Sequence, residues 1–158
     1  MARPTRVLWF PVTLALACDP GMDPPDEDPV DEVEVRDCST ETRADTYVLG
    51  MRKSGASLGV SIIEATPAPP SRGDNLWRVR VQGADGTGQA ATVEVDPFMP
   101  DHNHGSSIRA HVTADEVVGE YRIEPVNLFM PGLWEITLDL TLEDGTADAV
   151  VFRFCVDP

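Results

Sequence analysis

Apolar and polar residues alternate with a period of two along much of this chain. Trp77, Val79 and Val81 share one side of a stretch whose other side carries Arg78, Arg80 and Gln82. Trp134, Ile136, Leu138 and Leu140 alternate in the same way with Glu135, Thr137, Asp139 and Thr141. Successive side chains of a strand point to opposite sides of a sheet, so each stretch predicts a half-buried strand with one wet face. Weaker runs predict strands over 46–51, 57–65, 91–95, 108–112 and 149–156, and 117–123 reads as a further strand or a turn feeding one. In the second of these Leu58, Val60 and Ile62 alternate with their neighbours. Pro and Gly cut the runs apart: 66–73 reads as a loop, 83–88 as a hairpin turn and 143–146 as a tight turn. The glycines at 83–88 do not make a phosphate loop, because neither Lys-Ser/Thr nor a helical pattern follows them.

No stretch has a useful helical period. About seven short strands, with turn signals roughly every 8–12 residues, predict an all-β chain built as an antiparallel β-sandwich, an open barrel being the alternative. The expected core is Trp77, Val79, Val81, Val93, Val95, Trp134, Ile136, Leu138, Phe152 and Phe154. No internal repeat is visible.

The first 37 residues have a different texture. Arg3 and Arg6 precede an apolar run from Val7 to Ala17, too short to span a bilayer, which takes about 20 residues. The run ends Leu14-Ala15-Leu16-Ala17-Cys18, which resembles the lipobox of bacterial lipoproteins, where the cysteine is lipidated and becomes the mature N-terminus. Residues 1–18 are therefore expected to be a signal peptide and Cys18 a membrane anchor; an ordinary secretory signal cut nearby is the alternative. Residues 19–37 hold nine acids, one arginine and four prolines without apolar periodicity, and read as an extended acidic tether. Calcium binding there is disfavoured, since no turn glycine sits at the required offset. Residues 38–158 form the domain.

Charge and cysteines narrow the function. With 27 Asp+Glu against 12 Lys+Arg the formal net charge is −15, which argues against nucleic acid and against adhesion to anionic lipid through charge. Cys38 opens the domain and Cys155 sits in its last expected strand. In an exported protein such a pair is expected to form a disulfide, whereas a redox or metal site needs closely spaced thiols.

Chemistry is suggested at one place. Met99-Pro100-Asp101-His102-Asn103-His104-Gly105 holds two of the three histidines, and Phe129-Met130-Pro131-Gly132-Leu133-Trp134 follows some thirty residues later. Imidazole and thioether are copper ligands, the softer thioether favouring Cu(I). In an extended segment His102 and His104, at i and i+2, would share a face and could pinch one ion. Each residue also has a plainer role: polar loop side chains for the histidines, gap-filling for Met99 and Met130. His111 lies on an expected strand and is the weaker candidate ligand. Trp134 reads as core, and Tyr121 as a tyrosine corner, a packing device.

These stretches carry a family resemblance. In order come Gly73-Asp-Asn-Leu-Trp-Arg-Val, Asp85-Gly86, an Ala-rich strand, Met99-Pro-Asp-His-Asn-His-Gly105, Gly119-Glu-Tyr121 and Phe129-Met-Pro-Gly-Leu-Trp-Glu135. The succession resembles the YtkA-like family of bacterial exported domains, related to FixH, over roughly residues 57–142. The resemblance implies an Ig-like sandwich, copper handling linked with cytochrome oxidase assembly, and Met99, His102, His104 and Met130 as ligands. Asn103 stands where a small residue is more usual.

Two functions follow as expectations. One is a lipid-anchored copper carrier in the cell envelope, facing the periplasm or exterior, whose partner is a respiratory oxidase or a copper-handling protein. The other is a metal-free Ig-like module that docks on an envelope complex. An enzyme is not expected: no Ser-His-Asp order is evident, the third cysteine is committed to lipid, and no carboxylate pair marks a cleft.

Overall fold

A computed structural model describes residues 38–158; the expected signal peptide with Cys18 and the tether of 19–37 lie outside the described residues. A single 3-10 turn, Cys38–Thr40, precedes nine strands. These are β1 (Arg52–Ser54), β2 (Gly59–Thr66), β3 (Gly73–Gln82), β4 (Ala91–Met99), β5 (His104–Gly105), β6 (His111–Ala114), β7 (Glu120–Leu128), β8 (Gly132–Leu142) and β9 (Ala147–Val156). They form two sheets, β1-β2-β3-β7-β6 and β5-β4-β8-β9, with every pairing antiparallel. Seven strands have four residues or more; β1 and β5 are short additions at sheet edges. The all-β sandwich is thus the observed architecture.

The two-fold alternation sends one face of each sheet inward. Trp77, Val79 and Val81 of β3 are fully buried, as are Trp134, Ile136 and Leu138 of β8. Trp77 stands edge-on to Phe154 and Phe152 of β9, at 5.7 and 6.3 Å between ring centres, so the largest side chain of one sheet fills the space above the opposite sheet. Edge-to-face pairs of this kind contribute about 0.5–1.5 kcal/mol beyond their burial. Of the expected core only Val95 is half-buried. Met99, Ile123, Val126, Leu128 and Leu140 join it, because β4, β7 and β8 run longer than their clean alternation suggests.

Three expected stretches are only partly strand, or not strand, for local reasons. Residues 46–51 form no strand: the chain turns at 49–50, with Gly50 in the left-handed region (φ 82°) and Met51 N–H bonded to Val48 O. Pairing over 108–110 fails because the chain is there crossing from β5 in one sheet to β6 in the other. At 117–119 a tight turn ends on Gly119, also left-handed.

Two polar clasps tie the sheets together. The Tyr121 hydroxyl on β7 accepts the Ala91 N–H (2.7 Å) and donates to the Ala91 carbonyl (2.9 Å) at the start of β4, so it does act as a packing device. Asp148 on β9 accepts the N–H groups of Ala56, Ser57 and Leu58 at 2.7–2.9 Å, and that of Ala149. A Cβ at Gly55 would lie 2.2 Å from the Asp148 carboxylate, so only glycine lets the β1–β2 loop wrap this closely. A disulfide joins Cys38 to Cys155 with 5.5 Å between Cα atoms.

Desolvation opposes ionisation of Asp148, but the Ser57, Leu58, Ala56 and Ala149 N–H groups outweigh it and hold the carboxyl well below the ordinary value. A depressed folded-state value means stability that is fully present above the unfolded value of about 3.9 and is lost as pH falls through the folded one. Asp148→Asn is therefore expected to lower the Tm at pH 7 by several degrees, with the gap to the unmodified protein closing as pH is taken below about 3 in a series of melts. Cys155→Ser should cost about 2–5 kcal/mol in chemical denaturation, and in the unmodified protein neither thiol should alkylate before reductant is added.

Candidate metal site at one end of the sandwich

The two motif-bearing stretches meet at the end of the sandwich where β4 stops and β8 begins. Met99 closes β4, residues 100–103 turn, and His104 returns as β5 opposite Met99. The turn has a local cause. His102 N–H bonds back to Met99 O at 3.3 Å, and Asn103 then takes φ 54°, a left-handed conformation that asparagine tolerates better than most side chains. The expectation of an extended His102–His104 segment is thereby corrected. The rings are brought to 5.7 Å between centres by a left-handed residue between them, not by strand alternation. Nitrogens about 2.0 Å from a shared ion would put ring centres roughly 5–6 Å apart, so the observed spacing fits a two-imidazole pinch.

The rings continue as a row from solvent into the core. His102 is exposed and His104 half-buried. His104 stacks on Phe129 at 5.7 Å, and Phe129 meets Trp134 edge-on at 5.6 Å. The Trp134 indole N–H donates to Met130 O at 2.9 Å, fixing the backbone between Phe129 and β8, and Arg72 Nε holds the Phe129 carbonyl at 3.0 Å. His104 Nδ1 lies 3.3 Å from Gly105 O; with that nitrogen protonated, Nε2 keeps the lone pair a metal needs.

The methionines differ. Met130 is half-buried beside Phe129, whereas Met99 is fully buried in the core cluster. The Met99 methyl lies 3.1 Å from where a Cβ on Gly132 would stand, and Gly132 has φ 121°. Glycine at 132 thus serves both the backbone and the room for Met99, which is how the Met-Pro-Gly stretch and the His stretch fit together. His111 is not brought to this end: it is exposed on β6, paired with Glu124, and outside the row of rings. Among the described residues no group of three or more His, Cys, Asp or Glu gathers as a metal site, so any ion here would depend on thioether donors.

A family model described as YtkA-like matches residues 59–139, just over half of the chain. The chain belongs to the YtkA-like family. No curated protein and no solved structure gives a match. The matched span includes the whole candidate site and leaves out Cys38, Arg43 and Cys155.

Arg43 is the residue of this YtkA-like domain that sequence reasoning missed. Its guanidinium binds both oxygens of Asp101 at 2.6 and 2.8 Å and both oxygens of Glu41 at 2.6–2.9 Å. Asp101 first, then Glu41, raises its already high pKa, so it is a permanent cation. Asp101 directly precedes His102, so Arg43 ties the histidine turn to the segment that follows Cys38. Nothing local in the sequence joins residues 58 apart, and no signal could have revealed the pair. Arg43→Gln is expected to raise the backbone mobility of residues 100–103 in 15N relaxation, while the Tm moves by less than about 2 °C, as for an exposed ion pair.

Proposed function

We propose that this YtkA-like domain binds a single copper ion between His102 and His104, with the Met130 thioether as third donor and Met99 as a donor available only from beneath the loop. In this reading the ion is cargo. The protein is a lipoprotein held at the cell envelope through Cys18, it faces the periplasm or exterior, it catalyses no reaction, and it exchanges copper with a respiratory oxidase or a copper-handling protein. The observation that carries the reading is the meeting of the two motifs: imidazoles 5.7 Å apart, stacked by Phe129 against the stretch that bears Met130. Two imidazoles accept either oxidation state and a thioether favours Cu(I), so the set suits a carrier. An exposed, low-coordinate site also leaves an open position for a receiving ligand. The chain itself sets the Gly105 carbonyl beside His104 Nδ1, screens one side of the site with Phe129 and leaves the His102 side to solvent.

A second reading is a metal-free Ig-like module that docks on an envelope complex. It is favoured by the burial of Met99 and the lack of a third strong ligand among the described residues. Competition titration with Cu(I) separates the two. His102→Ala together with His104→Ala is expected to weaken Cu(I) binding by at least about 100-fold while the metal-free Tm stays within about 2 °C, since neither ring is in the core. Met130→Leu, which conserves volume, should weaken Cu(I) more than Cu(II). Unchanged Cu(I) affinity in the double histidine variant would put the ion elsewhere and overturn this site, and a domain that binds no Cu(I) at all would leave the docking module as the function.

A further inference from the structure

The sheet edge that β5 covers is unfinished toward the start of β4. Strand β4 pairs with β8 from Ala91 to Phe98, but on its other side it meets β5 only at Phe98 and Met99. Both backbone groups of one residue point to the same side of an antiparallel strand, and the side alternates along the chain. Ala91 gives its N–H and carbonyl to Tyr121, and Pro97 gives its carbonyl to Ser106, so odd-numbered residues face away from β8. Between these two satisfied ends, Val93 and Val95 direct two N–H and two C=O groups to the same side, where no strand of the described residues lies. A cleft of about 690 Å³ opens there, bounded by 92–97 and by 108–112 of the crossover and β6, with Ile108, Ala110 and Val112 supplying apolar surface.

The solvent face of this edge is anionic. Thr92, Glu94 and Asp96 point outward, and Glu94 sits directly opposite exposed Asp139 of β8. Like charges facing one another across strands are destabilising. Elsewhere on the sandwich several acids are paired with arginines: Glu64, Asp115 and Glu120 share Arg78, Glu124 holds Arg122 and Glu135 holds Arg153, while Asp74 and Asp148 accept N–H groups instead. No ion pair neutralises Glu94, Asp96 or Asp139 among the described residues.

We propose that the Val93–Val95 edge of β4 receives an extended segment of another protein, one that alternates Lys or Arg with apolar residues. The added strand completes the four open backbone bonds, turns its apolar side chains toward Ile108 and Val112, and lays its cations over Glu94, Asp96 and Asp139. Charge decides against a second copy as the occupant. The chain carries −15 overall, and its own acidic edge repels another like it, the usual way a sheet edge is kept from self-association. The proposal is independent of the copper reading, since no residue of the histidine turn takes part.

The test is titration of the 15N-labelled protein with the peptide acetyl-Lys-Val-Lys-Val-Lys-Val-amide. Binding should slow exchange of the Val93 and Val95 amides, and its affinity should fall about tenfold or more between 50 and 500 mM salt. The same peptide N-methylated on alternate residues, which keeps the charges and blocks the ladder, should bind at least about tenfold more weakly. Glu94→Lys with Asp96→Lys should reverse the preference to a Glu-Val peptide; both side chains are exposed and have no ion pair among the described residues, so the Tm should hold. Absent binding at millimolar peptide, equal binding of the N-methylated peptide, or an unreversed preference would each overturn the proposal.

Discussion

The contact on which the structure depends is Trp77 set edge-on between Phe152 and Phe154. It spans the gap between sheets and holds β3, the centre of one sheet, against β9 at the margin of the other. Interiors pack close to crystalline density, so a side chain of this size fixes where the facing strands lie. Once β3 and β9 are set, the β8–β9 register follows, with Gly132 opposite Val156 and Leu133 opposite Cys155. That register decides which residues reach the end of the sandwich. The disulfide, the Met-Pro-Gly stretch and the histidine turn arrive at the same end for this reason, although they come from distant parts of the chain.

At that end the backbone does what side-chain patterning alone cannot. Asn103 in the left-handed region turns His104 back beside His102, and Gly132 clears the volume that the Met99 methyl fills. A bulky or β-branched residue at 103 would resist the turn, and any side chain at 132 would press on Met99 while straining its own backbone. Asparagine between the histidines is accounted for by its tolerance of this conformation. The motif is therefore a set of conformational requirements as much as a set of candidate donors.

What the sequence made legible was set by how local each signal is. The clean alternation of 76–82 and 134–140 specified strands, faces and most of the core, because the period of two is a property of neighbours. Val95 was over-read and Leu128 missed, since alternation says nothing of where a strand bends away from the core or how far it runs beyond its cleanest segment. At 108–110 the residues look like a strand but lie where the chain changes sheets. The histidine and methionine stretches were visible as motifs and their convergence could be guessed from their pairing. Arg43 on Asp101 and Asp148 beneath Gly55 could not be, for each joins positions far apart in sequence and neither leaves a local mark.

The division of labour between the two ends of the sandwich follows from where these long-range ties fall. Asp148 and the 55–58 loop secure the end at which β9 begins, and the Tyr121 clasp lies at the start of β4, on that same side. At the opposite end the disulfide locks the entry and exit of the domain, and Arg43, five residues after Cys38, carries that anchorage on to Asp101. The histidine turn is thus exposed yet held from both flanks, by Arg43 on one and by the Phe129 ring on the other. A turn that were merely exposed would lose conformational freedom each time it closed on an ion, and one that were buried could not pass the ion on. Being held without being covered keeps both costs small, which is what the proposed carrier role would require.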